Sequence, residues 1–260
     1  MKTFGLVGKS LSHSFSQQYF TNTFKNENIL DAEYQLFSLK KIDEVKDLFQ
    51  HPTLLGFNVT IPYKTEIIPY LDELDSVSQE VGAVNCVIKQ NNKWTGYNTD
   101  VIGFENMLEE VEKQKYIKPL FLKSNLSSKK QKALILGSGG AAKTVCYVLK
   151  KRKIPYQIVS RNKTHHTITY DEITKILIHH YSLIINTTPL GMYPHIDEKP
   201  PLPYSALKCN HILMDLIYNP AETLFLKAGK KHGATTANGL TMFQTQARES
   251  YLRFKDLMIK

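Results

Sequence analysis

The sequence predicts a two-domain α/β protein, and three observations carry that reading. Short apolar runs alternate with helical patterns along nearly the whole chain, the rhythm of strands joined by crossover helices. A glycine turn, Gly137-Ser138-Gly139-Gly140-Ala141-Ala142, ends an apolar run at mid-chain and opens directly into a helical pattern. With 260 residues, 42% of them hydrophobic, the chain exceeds the usual single-domain length and has the apolar content for two cores.

The first element is a strand over 3–7 that ends at Gly8. The loop Lys9-Ser10-Leu11-Ser12-His13-Ser14-Phe15-Ser16 follows, and then a helical pattern through Tyr19, Phe20 and Phe24. One serine suffices as an N-cap, and Ser16 is placed for it. The other hydroxyls exceed that need; beside a helix N-terminus at the end of a strand they suit a small carboxylate. A strand over 32–37, a helix over 42–49 and a strand over 55–59 continue the alternation.

The last of these strands runs into Asn58-Val59-Thr60-Ile61-Pro62-Tyr63-Lys64. Pro62 forces Ile61 extended and opens a helix, which puts Lys64 in the first turn, where the helix dipole disfavours a cation. A snorkelling surface lysine would not explain Asn58 and Thr60, polar at alternate positions of an apolar strand end, so the cluster reads as functional. The stretch 81–87 leads into a strand that ends near Gln90, Asn91-Asn92 turns the chain, and 93–97 returns as the hairpin partner. A helix begins at Asn98-Thr99-Asp100. Asp100 is able to cap it, yet with Asn85 it also brings a carboxylate and an amide toward Lys64, a donor and acceptor set for a polyhydroxylated substrate.

The second half opens on a strand at 133–136. At the turn that follows, Gly137 permits the tight bend, Gly139 admits a close backbone approach, and Ala142 fills the third small position of G-x-G-x-x-A. A dinucleotide pyrophosphate fits there, on the free N–H groups of a helix N-terminus. A strand at 156–159, a helix over 171–180, strands at 183–186 and 212–216, a helix over 222–231 and a strand at 234–236 complete the alternation. Phe243, Ala247, Tyr251, Phe254 and Met258 then recur at helical spacing. An NAD-selective domain carries an acid about 20 residues beyond the glycine turn. Here the second strand ends in Ser160-Arg161-Asn162-Lys163-Thr164, and the first acid beyond it is Asp171. Arg161 can fork two N–H groups onto a 2′-phosphate with Lys163 adding charge, so NADP is the expected cofactor.

Composition narrows the class. The net charge of +9 comes mainly from seven lysines between Lys113 and Lys132, a segment without acids that reads as a solvated linker. No nucleic-acid fold signature accompanies it, so nucleic-acid binding is not expected. No run approaches a membrane span or a signal peptide, which points to the cytoplasm. Cys86, Cys146 and Cys209 are too far apart for a zinc or redox motif, and no metal is expected.

Together these motifs resemble the shikimate 5-dehydrogenase family, which reduces 3-dehydroshikimate to shikimate with NADPH on the route to chorismate and the aromatic amino acids. Seven separated stretches carry the resemblance: His13-Ser14-Phe15-Ser16, 58–64, Gly82-Ala83-Val84-Asn85, Asn98-Thr99-Asp100, the glycine turn, Asn186-Thr187-Thr188-Pro189-Leu190-Gly191-Met192, and Gly239-Leu240-Thr241-Met242 with Gln246. The resemblance implies that Lys64 and Asp100 are the catalytic pair. It implies that Ser14 and Ser16 hold the substrate carboxylate, that Asn58, Thr60, Asn85 and Gln246 meet its hydroxyls, and that Tyr218 leans toward the carboxylate. For the cofactor it implies Gly137, Ser138, Gly139, Gly140, Ala141, Arg161, Thr187, Thr188, Gly239 and Met242. It further implies a substrate domain over 1–104 joined by a returning C-terminal helix, 242–260, a Rossmann-like NADP domain over 105–241, and a monomer or homodimer.

Lys64 would protonate the alcohol oxygen in reduction and take the proton back in oxidation, with Asp100 holding the ammonium. The departures are Ser10 and Gln17 where the family has prolines, Ser160 and Asn162 around Arg161, and Thr241 where glycine is common, whose extra atoms would crowd the nicotinamide pocket. An NAD-preferring quinate/shikimate dehydrogenase and a non-catalytic nucleotide-binding regulator are the alternatives.

Overall fold

The structure is a computed structural model, and it describes residues 1–11, 14–114 and 132–258. Ser12, His13 and most of the lysine-rich segment lie outside the described residues. The chain divides into two compact units, Met1–Ile102 with Gln244–Lys260, and Gly103–Phe243.

The first unit contains β1 (Lys2–Gly8), α1 (Ser16–Asn26), β2 (Ala32–Ser38), α2 (Val45–Phe49), β3 (Leu54–Val59), β4 (Glu73–Leu74), α3 (Ser76–Val81), β5 (Cys86–Gln90) and β6 (Lys93–Tyr97). Its sheet runs β2-β1-β3-β5-β6-β4. β1 is parallel to β2 and β3, β5 is antiparallel to β3 and β6, and β4 is parallel to β6. Asn91 (φ 49°) and Asn92 (φ 63°) both adopt the left-handed conformation that a two-residue hairpin turn with the right twist requires. One face of the sheet buries Phe4, Phe20, Phe24 and Tyr34 with Ala247, Tyr251 and Phe254; the other buries Val7, Phe57, Tyr63, Ile67 and Trp94. The three C-terminal residues of the first cluster belong to α8 (Leu240–Met258). Phe254 stacks on Phe4 with centroids 4.7 Å apart, and Gly56 makes room for it, since a Cβ there would lie 2.9 Å from Phe254 Cε1.

Two helices expected in this unit differ. The segment after Pro62 forms a series of turns ending in a 3-10 turn at Ile68–Tyr70, so Lys64 is not in the first turn of an α-helix. Only six residues separate Pro62 from Pro69, which lacks an N–H and would clash with the carbonyl four residues back, too short a span to nucleate a helix. The helix over 42–49 begins as a 3-10 turn, Ile42–Glu44, before α2.

The second unit takes most of α4 (Asp100–Gln114), then β7 (Ala133–Leu136), α5 (Gly140–Lys151), β8 (Tyr156–Val159), β9 (Thr167–Ile168), α6 (Lys175–Ile178), β10 (Leu183–Asn186), β11 (Ile212–Asp215), α7 (Leu224–Lys231), β12 (Thr235–Ala237) and the first turn of α8. Its sheet is parallel throughout, in the order β12-β11-β10-β7-β8-β9. Counted from β7, this is the doubly wound order 6-5-4-1-2-3, whose direction reverses between β7 and β10. Every residue of β7, β10 and β11 is buried, which accounts for their unbroken apolar runs. The helix over 171–180 is shorter than expected. Thr169 with Glu172 forms a capping box on a 3-10 turn, Thr174 caps the four-residue α6, and the two starts leave Ile173 extended between them.

Candidate active site

In the first unit the ends of β3 and β6 converge on one constellation. Val84 N–H donates to the Lys64 carbonyl (2.7 Å), fixing the turn that carries this lysine. Its Nζ lies 2.6 Å from Asp100 Oδ2, and the two side chains are only 17% and 5% exposed. Capping of α4 falls to Asn98, whose Oδ1 accepts from Val101 N (3.2 Å). Asp100 therefore keeps its carboxylate for Lys64. A pair this sheltered is far more sensitive to loss of one partner than a surface ion pair, because the remaining charge stays out of water.

Beside the pair is a polar network. Asn85 accepts from Thr99 N (2.7 Å) and donates to Thr99 Oγ1 (2.8 Å) and to Gln246 Oε1 (3.2 Å). Asn58 donates to the Asn85 carbonyl (3.2 Å) and to Ser250 Oγ (2.8 Å), and accepts from the Tyr34 hydroxyl (2.9 Å). Both N–H groups of Asn58 are thus engaged within the protein. Thr99, Ser250 and Tyr34 are network members that sequence reasoning did not single out. Thr99 lies within Asn98-Thr99-Asp100, and Ser250, one helical turn beyond Gln246 on α8, donates to the Gln246 carbonyl (2.9 Å).

Thr60 follows β3, half-buried, and its N–H donates to Val7 O (2.9 Å) at the end of β1. The serine loop leaves that same end. Ser16 is not the N-cap expected of it: it is the first residue of α1, and its N–H donates to Ser14 Oγ (3.2 Å). Ser14, two residues earlier, takes over that role because Phe15 adopts a helical conformation at the cap position. Gln17, replacing a proline, anchors α1 by donating to Tyr34 O (3.3 Å).

In the second unit the glycine turn lies at the switch point. Gly137 has φ +112°, and a Cβ on it would meet Thr187 Oγ1 at 2.6 Å, so only glycine fits beneath the loop after β10. Gly139 caps α5, and a Cβ there would point into open space, so the helix N-terminus is accessible to a phosphate. Gly140 and Ala141 form the first turn of α5, and Ser138 Oγ is 3.2 Å from Ser160 Oγ, linking this turn to the loop after β8. In that loop Arg161 is exposed and makes no ion pair among the described residues. Lys163 differs from expectation: its Nζ is 2.7 Å from Glu172, which this ammonium holds down at about 2, so the added positive charge is balanced. Glu172 reaches it because the capping box brings that carboxylate back over the loop.

Thr187 donates to Leu136 O (2.7 Å) and Thr188 to Asn186 Oδ1 (2.6 Å), fixing the loop after β10. Gly239 passes so close to β11's exit that a Cβ would lie 2.1 Å from Leu216 O, and Met242 is buried behind it. The Thr241 hydroxyl donates to Glu110 on α4 (2.6 Å), which accounts for where its extra atoms go. Tyr218 stacks on Phe243 (4.5 Å), and burial pushes its phenol up to about 12, so it is neutral through the physiological range. No group of metal-ligating side chains occurs among the described residues.

Residues 6–87 match the family model for the shikimate dehydrogenase substrate binding domain. A shikimate dehydrogenase (NADP(+)) of Methanococcus aeolicus is 35% identical over 96% of this chain and 90% of its own length. One of the same name from Clostridium botulinum is 37% identical over 95% of this chain and 94% of its own. The crystal structure of shikimate dehydrogenase 1 from Peptoclostridium difficile superimposes with a TM-score of 0.80 at 34% identity, covering 98% of this chain and 92% of that one. With that identity over nearly its full length, this chain belongs to the shikimate dehydrogenase family.

Proposed function

We propose that this chain catalyses the reversible, NADP-dependent reduction of 3-dehydroshikimate to shikimate, binding the substrate in its first unit and the cofactor in its second. The sheltered Lys64–Asp100 pair is the observation that carries this reading. A solvated lysine has no need of a buried carboxylate at 2.6 Å, whereas an acid/base group at a secondary alcohol needs its proton held in one direction. The cofactor, when bound, supplies and accepts the hydride.

Lys64 donates a proton from Nζ to the substrate oxygen during reduction and removes it during oxidation. Asp100 orients the ammonium and, with its second oxygen, accepts from a substrate hydroxyl. Asn85 and Gln246 border the same hydroxyls, Thr60 adds its own, and Asn58 presents the remaining lone pair of Oδ1 while bracing Asn85 through its amide. Ser14 and Ser16 are neutral donors for the carboxylate. In the second unit the α5 N-terminus receives the pyrophosphate at 137–141, the loops at Thr187, Thr188, Gly239 and Met242 wall it, and Arg161 reads the 2′-phosphate.

Small-molecule substrates, cysteines widely spaced along the chain and the family's chemistry favour a cytoplasmic enzyme, working as a monomer or homodimer. No helix among the described residues is long and apolar enough to cross a membrane. Purified protein incubated with shikimate and either NADP or NAD, followed by the near-ultraviolet absorbance of the reduced cofactor, tests the proposal. Turnover with NADP well above that with NAD supports it; absence of turnover with both defeats it.

A further inference from the structure

Among the described residues of the second unit, the one buried carboxylate that the chemistry does not use is Asp215, the last residue of β11, which is 0% exposed. Its oxygens collect donors from three segments. Oδ1 accepts from Asn186 Nδ2 (3.0 Å), at the end of β10, and from Ile217 N (3.1 Å), in the loop that leads to Tyr218. Oδ2 accepts from Thr223 Oγ1 (2.6 Å), the N-cap of α7. A carboxylate is the one side chain that meets three converging donors without offering a competing one.

That acceptor-only character has a consequence one bond further on. An asparagine amide presents nearly the same shape in either orientation, and its partners decide which end points where. Asp215 draws Nδ2 of Asn186 toward itself, with Leu190 O as a second, longer acceptor (3.4 Å), which leaves Oδ1 facing Thr188 in the loop after β10. There it accepts from both the backbone N–H (3.0 Å) and the hydroxyl (2.6 Å) of Thr188, and Thr188 Oγ1 in turn accepts from Leu190 N (3.3 Å). The preceding residue, Thr187, is the one whose Oγ1 would meet a Cβ on Gly137. The chain of contacts therefore runs from a buried carboxylate, through one amide, to the wall of the glycine turn.

We propose that Asp215 is a positioning residue for the cofactor site: by fixing the amide orientation of Asn186 it holds the Thr187–Leu190 loop against the glycine turn in the form that admits the dinucleotide. The inference rests on the reading of that turn as the NADP site. Asp215 touches no reacting atom; its effect falls on cofactor affinity and leaves the proton chemistry of Lys64 alone.

The test is the Kd for NADP, from fluorescence or calorimetric titration, alongside KM and kcat. Asp215→Leu removes the acceptors, and NADP affinity is expected to drop about 10-fold or more while kcat at saturating NADP falls less than about 3-fold. Asp215→Asn, which keeps Oδ1 for Asn186 and Ile217 and turns an amide toward Thr223, is expected to restore affinity to within about 3-fold of wild type. Asn186→Ala, which deprives Thr188 of its acceptor directly, carries the same expected loss and serves if Asp215→Leu does not fold. Adding Asp215→Leu to Asn186→Ala is expected to cost little more, since the two act in series. Unchanged NADP affinity in folded Asn186→Ala overturns the inference, as does an equal loss in Asp215→Asn and Asp215→Leu. Gly139→Asp separates the underlying reading: it places a carboxylate where the phosphates would lie, and full NADP binding by that variant means the turn is not the cofactor site.

Discussion

At the scale of single residues, the roles proposed for Lys64 and Arg161 are separable, because one would act on the transition state and the other on binding. Lys64→Met is expected to lower kcat by about 10²- to 10⁴-fold, the usual range for a lost proton-transfer group, with a much smaller rise in KM for shikimate. Steady-state kinetics with shikimate varied at saturating NADP checks this, and a variant that keeps most of its kcat is incompatible with the acid/base role. Arg161→Ala is expected to weaken NADP by roughly 10- to 150-fold, the scale of a hydrogen-bonded charge contact, and to leave NAD nearly untouched. Equal losses for both cofactors would remove the 2′-phosphate from its role. These residues were legible in the sequence because each breaks a local rule: Lys64 is a cation after an apolar strand end, and Arg161 stands where an acid would select NAD. Thr99, Ser250 and Tyr34 broke none. A threonine before a helix, a helix serine and a strand tyrosine are ordinary in those places, and only the fold shows that their hydroxyls meet Asn58 and Asn85. Lys163 erred the other way, since a charge that looks available in a loop was balanced by Glu172.

At the scale of elements, the long apolar strands and α1, α5, α7 and α8 were readable from periodicity, while the short elements were not. β4 and β9 have two residues each, and α3 has six, below the length at which a pattern repeats. α3 is held instead by its ends. Asp75 accepts from Ser78 N (2.8 Å), and Gly82 closes the helix in the left-handed conformation (φ 66°) just before Asn85. Removing the cap by Asp75→Ala is expected to cost about 0.5–2 kcal/mol. Trp94, the only tryptophan, stacks on Phe49 (4.9 Å) in the same unit, so its fluorescence during urea unfolding reports the change where it occurs. A midpoint equal to that of wild type would show that α3 is held by packing alone.

For the whole molecule, two buried titratable groups in the second unit tie stability to pH in opposite directions. Burial lowers His211, whose ring nitrogens lie 2.9 Å from Lys208 N and 3.4 Å from Ile178 O. The folded state disfavours its protonation, so this contribution is present above about 6.5 and is lost as pH falls. Asp215 has the reverse sign. Burial pushes it from 3.8 to about 6, against the pull of Thr223, Ile217 and Asn186, so the folded state binds its proton more tightly than the unfolded chain. Its contribution is fully present below 3.8 and is lost as pH rises through about 6. Comparing Asp215→Asn with wild type isolates this term, because His211 and every other group are common to both and cancel in the difference. Relative to wild type, the variant is expected to gain stability between about pH 4 and pH 7, by no more than about 3 kcal/mol for a shift of roughly two units. Urea unfolding followed by far-ultraviolet circular dichroism at several pH values measures the difference. A difference that stays flat with pH, or grows toward acid, would mean that Asp215 is held as a carboxylate by its three donors strongly enough to offset its burial.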